Sequence, residues 1–152
     1  MQAVEPYVVK IVIPCWAEYA QTIRLVTTGV ATVLKFSSEE IDDLKTAVGE
    51  AVNNSIQHAY PDCEEESYQY RKDIHVDFNI YEDKLAVVVK DHGRGFDYRF
   101  AERYMKRANL DRPEKIGRGM MLIKELMDEV EYDSVAFRGT VVRMTKYRSV
   151  VA

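Results

Sequence analysis

The chain has 152 residues, 47% of them hydrophobic and 30% charged, with a formal net charge of -4 at pH 7. That length suits one domain, residues 1–152, with its own core, and the composition is that of a globular protein rather than a disordered or fibrous one. An acidic balance argues against direct nucleic-acid binding, and apolar runs such as Leu85 to Val89 are too short to span a bilayer, so no membrane partner is expected.

Val8 to Ile13 is a β-branched run stopped by Pro14 and reads as a strand. Tyr19, Ile23, Val26, Val30 and Val33 recur at helical spacing and predict a helix to about Phe36 with that stripe inward. Ser37 and Glu40 form a capping-box pattern. It opens a helix over residues 38–60 whose inner stripe is Ile41, Leu44, Val48, Ala51 and Ser55. An acidic surface loop is expected over 61–73. Ile74, Val76, Phe78 and Ile80 then alternate with polar residues, and Leu85 to Val89 follows a turn at Glu82 and Asp83, which predicts a hairpin. Residues 98–118 are basic within an acidic protein, carrying Arg99, Arg103, Lys106, Arg107, Arg112, Lys115 and Arg118. A third helix is expected from Met120 to Asp128, and strands Val130 to Val135 and Thr140 to Tyr147 close the chain. The order predicts an α+β fold, a two-layer sandwich of a mostly antiparallel sheet with helices on one face.

Cys15 and Cys63 fit no close metal spacing and read as reduced thiols, the N-terminus has no signal-peptide pattern, and a cytoplasmic location is expected. His58, His75 and His92 are too scattered for a zinc site.

On a helical wheel Asp43, Ala47, Glu50, Asn54 and His58 form a second stripe of the long helix, so Glu50 and Asn54 point the same way one turn apart. Taken alone, that pair is also what a solvated helix face shows. Gly117 and Gly119 are expected just before a helix, where free backbone N–H groups and the helix dipole suit phosphate, although such glycines also serve plain turns.

Together, "EAVNNSIQH" (Glu50 to His58), "DHGRG" (Asp91 to Gly95), "GRGM" (Gly117 to Met120) and "GT" (Gly139, Thr140) follow the order and approximate spacing of the nucleotide boxes of the GHKL ATPase and kinase superfamily. Within it the chain most resembles the bacterial anti-sigma factor serine kinases, closest over Glu40 to Tyr60 and Gly117 to Tyr147.

The resemblance implies ATP and Mg2+ as cofactors, and roles for individual residues. Asn54 would ligate Mg2+ through its amide oxygen, a hard ligand of the kind magnesium favours. Glu50 would be the general base that accepts a serine proton. Asp91 would accept a hydrogen bond from the adenine amino group, Gly93 and Gly95 would let the chain turn against the nucleotide, and Thr140 would support the adenine end. Lys115, Gly117, Arg118, Gly119 and Met120 would hold the phosphates, within a lid over 98–118. Arg24 matches an arginine on a partner-facing surface. Implied partners are a small anti-sigma factor antagonist and a sigma factor, with a homodimer as the default arrangement. Gly49 departs from the serine often found before the glutamate, and His92 from an acidic or small polar residue. Three functions stay open: a serine kinase that also sequesters a sigma factor, a non-catalytic ATP-gated anti-sigma module, and an ATPase acting on an unrelated partner.

Overall fold

A computed structural model describes residues 3–59, 73–93, 115–135 and 139–149. Strand β1 (Tyr7–Pro14) leads into helices α1 (Tyr19–Val33) and α2 (Ser38–Asn54), and α2 runs on into a π-helical turn, Ser55–Ala59. The hairpin β2 (Asp73–Ile80) and β3 (Lys84–Asp91) follows, then helix α3 (Lys115–Leu126) and strands β4 (Glu129–Val135) and β5 (Gly139–Tyr147). The five strands lie in the order β1-β2-β3-β5-β4. Every pairing is antiparallel, in keeping with the mostly antiparallel sheet expected from the order of elements.

Alternation along the strands decides which face the helices cover. Ile74, Val76 and Phe78 of β2, Leu85, Val87 and Val89 of β3, and Val142 and Met144 of β5 are all buried, and they join Ile23, Leu44, Val48 and Val52 of the helices in one core. Asp91 continues the inward row of β3 by the same parity, and Thr140 continues that of β5. Two polar residues therefore end two apolar rows side by side, in register as Asp91↔Thr140.

The α1–α2 junction follows its local chemistry. After α1 the chain makes a Schellman turn: Phe36 N–H donates to Ala31 O and Lys35 N–H to Thr32 O, with Lys35 at φ 61°. The predicted capping box then starts α2: the Glu40 N–H donates to Ser37 Oγ (3.1 Å), and the Ser37 N–H to Glu40 Oε1 (2.8 Å). α2 is the middle helix of its layer and packs against both α1 and α3.

Three expectations need correction. The buried stripe of α1 is Ala20, Ile23, Thr27 and Ala31, one position round from the predicted one; Val26 and Val30 flank it, whereas Val33 is 81% exposed. Small residues let α1 approach α2 closely, and Thr27 meets its own need by donating to Ile23 O at 2.7 Å. Second, α3 begins at Lys115 rather than Met120, so Gly117 and Gly119 lie within the helix instead of ahead of it. Third, Cys15 is buried and disulfide-bonded rather than a reduced thiol. The chain's other cysteine, Cys63, lies outside the described residues, and spacing in sequence does not reveal whether two Cβ atoms come within bonding reach.

Candidate functional site

The end of β3 delivers Asp91 into the interior, 3% exposed, and three donors hold its carboxylate. Gly93 N–H (3.0 Å) and Thr140 N–H (3.2 Å) donate to Oδ1, and the Ser55 hydroxyl donates to Oδ2 at 2.9 Å. Ionised carboxylates have about four acceptor positions, so one side of Oδ2 is left for another donor. Ser55 reaches Asp91 from the first position of the π-helical turn, the kind of local widening that recurs at functional sites.

β5 closes the other side. Gly139 has φ +116°, and a Cβ there would overlap the Asp91 carbonyl oxygen and crowd His92 Cα. Only glycine lets β5 start this close to the end of β3. Beside it the rings of His75 and His92 meet edge-on, their centroids 5.8 Å apart.

The second half of the site lies where α2 crosses α3. Glu50 and Asn54 are half-buried, not solvated, because the stripe they share is covered by α3; its neighbour Ala47 is fully buried. A Cβ on Gly119 would stand 3.1 Å from both Glu50 Oε2 and Asn54 Oδ1. Among the described residues no hydrogen bond or ion pair occupies either side chain. Such an arrangement holds a carboxylate and an amide oxygen together, unspent, on a helix fixed at both flanks. These are hard oxygen donors of the type a magnesium ion takes.

The structure thus brings together Glu50, Asn54 and Gly119 at the α2–α3 crossing, and Asp91, Gly93 and Thr140 at the β3–β5 ends, with α2 and its π-helical turn joining the two. Met120 is fully buried and Arg118 exposed on α3, and Lys115 and Gly117 lie in its first turn. Thr140 engages Asp91 through its backbone amide. Gly95, most of the basic segment at 98–114, and the side chain of His58 lie outside the described residues. Arg24 stands apart from both halves, on the opposite flank of α2, with its guanidinium over Gly49. The sequence reading overlooked Ser55 as a site residue; its one signal was a hydroxyl in an otherwise apolar stripe.

Residues 13–146 match the histidine kinase-like ATPase domain family. Among proteins similar in sequence, the serine-protein kinase RsbW of Bacillus subtilis strain 168 is 34% identical over 143 residues, 91% of this chain and 84% of that protein. The serine-protein kinase RsbW of Staphylococcus aureus strain MSSA476 is 36% identical over 151 residues, 97% of this chain and 90% of the relative. Among solved structures, the RsbU and RsbW domains of Rv1364c from Mycobacterium tuberculosis share the fold with a TM-score of 0.67 at 17% identity, over 96% of this chain and 34% of that one. No described helix is long and apolar enough to cross a membrane.

Proposed function

The chain belongs to the histidine kinase-like ATPase family, and we propose that it is an ATP-dependent protein serine kinase of the anti-sigma type. In this reading it phosphorylates a serine of a small antagonist protein and, when that antagonist is unavailable, sequesters a sigma factor. A single domain carries both tasks in the cytoplasm. The observation that carries the reading is the pair Glu50 and Asn54, half-buried, one turn apart and unpaired among the described residues, against Gly119.

The residues suit the nucleotide. The open position on Asp91 Oδ2 fits the adenine amino group, and a carboxylate there rejects guanine, which presents a carbonyl at that point. Gly93 and Thr140 hold the carboxylate through their amides, and Ser55 fixes its rotation. Asn54 Oδ1 would hold Mg2+, and Lys115, Gly117, Arg118, Gly119 and Met120 would line the phosphate end, with Gly95 and the rest of the basic segment completing it. Bound Mg-ATP supplies the transferable phosphoryl group and the charge that offsets its oxygens. Glu50 then accepts the proton of the incoming serine hydroxyl, a task that needs position more than covalent chemistry.

Arg24, across α2 from Glu50, would face the protein partners. A homodimer would form through β1, an edge strand on which Tyr7, Val8, Val9 and Val12 are exposed.

Transfer of the γ-phosphate from Mg-ATP to candidate antagonists tests the reading. Removing a general base slows a reaction by about 100- to 10,000-fold, so Glu50→Ala is expected to retain ATP binding while transfer falls by that much. Unchanged transfer in Glu50→Ala overturns the mechanism. Tight ATP binding with no transfer to any antagonist would instead favour a nucleotide-gated binding module.

A further inference from the structure

α2 carries a notch on the flank turned away from Glu50. Gly49 is buried, and a Cβ built there would stand 2.5 Å from Arg24 Nε, 2.9 Å from Nη2 and 3.0 Å from Cζ. The guanidinium of α1 therefore lies directly on the α2 backbone, in space that any other residue would fill.

The notch does not serve helix stability, since glycine weakens a helix interior relative to alanine. Nor does it serve internal pairing: among the described residues the half-buried Arg24 guanidinium makes no hydrogen bond or ion pair. A flat, weakly hydrated cation with five donors stacks comfortably on a peptide plane, and it answers best to a carboxylate that can accept two of those donors at once. Gly49 is also the residue before Glu50, so whatever docks on Arg24 is referenced to the turn of helix that carries Glu50.

We propose that Gly49 is a specificity-determining position for the protein substrate: its notch seats the Arg24 guanidinium, unpaired, for capture by an acidic side chain of that substrate. The proposal rests on the kinase reading for its partner and on the Gly49–Arg24 contact for its geometry. A residue with a Cβ at 49 would lift the guanidinium and present it at a different height and angle, leaving the nucleotide half of the site alone. Gly49 is thus a positioning residue, and Arg24 the group that makes contact.

The test is a double-mutant cycle in the full chain with Mg-ATP and the antagonist, using Gly49→Ala, Arg24→Ala and the pair. Gly49→Ala is expected to raise the KM for the antagonist about ten-fold, the scale of one charge-assisted contact. The kcat and the ATP Kd are expected to stay within about two-fold, because the substitution touches neither Glu50 nor the nucleotide contacts. In the Arg24→Ala background the same change is expected to leave KM unmoved. An equal rise in both backgrounds, or no rise in either, overturns the proposal. Melting temperatures separate this outcome from failure of the kinase reading. With Arg24 removed the notch is empty, and alanine at 49 is expected to raise Tm by about 3 °C; with Arg24 present the gain is expected to be smaller. If no antagonist is phosphorylated the kinase reading fails, and an equal Tm gain in the two backgrounds overturns the seat itself.

Discussion

A methyl group at position 139 has no space to occupy, because φ is +116° and the Cβ would meet the Asp91 carbonyl. Gly139→Ala is expected to cost about 3 kcal/mol, combining left-handed strain with a backbone clash. Since β5 must then part from β3 at the Asp91–Thr140 pair, ATP binding should fail as well; urea denaturation and nucleotide titration of one sample check both. Gly119 poses the opposite case. A Cβ there would press on Glu50 Oε2 and Asn54 Oδ1 at 3.1 Å, and those are side-chain tips that can yield. Alanine also favours a helix over glycine by about 1 kcal/mol. Gly119→Ala is therefore expected to keep or raise Tm while slowing phosphoryl transfer about ten-fold or more, as a displaced base does. Full activity in that variant would show that the Glu50 and Asn54 positions are not set by α3. The sequence displays both glycines plainly, but only the crossing of α2 with α3 shows that one serves backbone conformation and the other leaves room for side chains.

Among the elements, α2 was the most legible: its capping box and its stripe Leu44, Val48, Ala51 and Ser55 follow from local spacing, which is set by residues a turn apart. The hairpin β2–β3 was legible for the same reason. The face of α1 was not, because hydrophobicity favours Val26, Val30 and Val33 over Ala20, Thr27 and Ala31, whereas close helix packing favours the smaller set. The start of α3 was missed since glycines mark a helix end locally and only tertiary contact overrides that. Two predictions belong at this scale. Lys35 sits in the left-handed region at φ 61° with a Cβ, so Lys35→Gly should stabilise the protein by about 1 kcal/mol in urea denaturation. Glu40 does more than cap α2, because Ser149 N–H (2.8 Å) and Ser149 Oγ (3.0 Å) also donate to its carboxylate and tie down the segment after β5. Burial pulls the Glu40 pKa up, but the N–H groups of Ser37 and Ser149, aided by their hydroxyls, outweigh it and hold the pKa below 4.5. A pKa lowered by folding gives stability that is present above the unfolded value and lost as pH falls through the folded one. The stability difference between wild type and Glu40→Gln should thus be constant at neutral pH and shrink below about pH 4.5; a difference that persists at lower pH would show that the carboxylate's charge is not what matters.

At the scale of the molecule, α2 is the shared member: Gly119 of α3 touches its Glu50 and Asn54, Arg24 of α1 touches its Gly49, and its π-helical continuation holds Asp91. In the proposed reading one flank of this helix serves the nucleotide and the other the protein partner, so a single helix refers both ligands to each other. The sheet, by contrast, ends in β1, whose outer side meets no other strand among the described residues, and Tyr7 is 84%, Val8 41% and Val12 53% exposed. Bare apolar edges invite pairing with another strand, and the one partner always present at equal concentration is a second copy. Antiparallel β1 against β1 across a two-fold axis satisfies both edges at once, because an isologous contact repeats every interaction. Charge placed on that strand then faces its own copy. Val8→Glu combined with Val12→Glu should convert a dimer to a monomer in sedimentation, weakening self-association by about 100-fold or more, since like charges opposed across strands repel and apolar area is lost. ATP binding should be unaffected, because Asp91 and Asn54 lie on other elements. A variant that remains dimeric would place the two-fold elsewhere, and a wild-type chain that sediments as a monomer would leave the edge to a different strand.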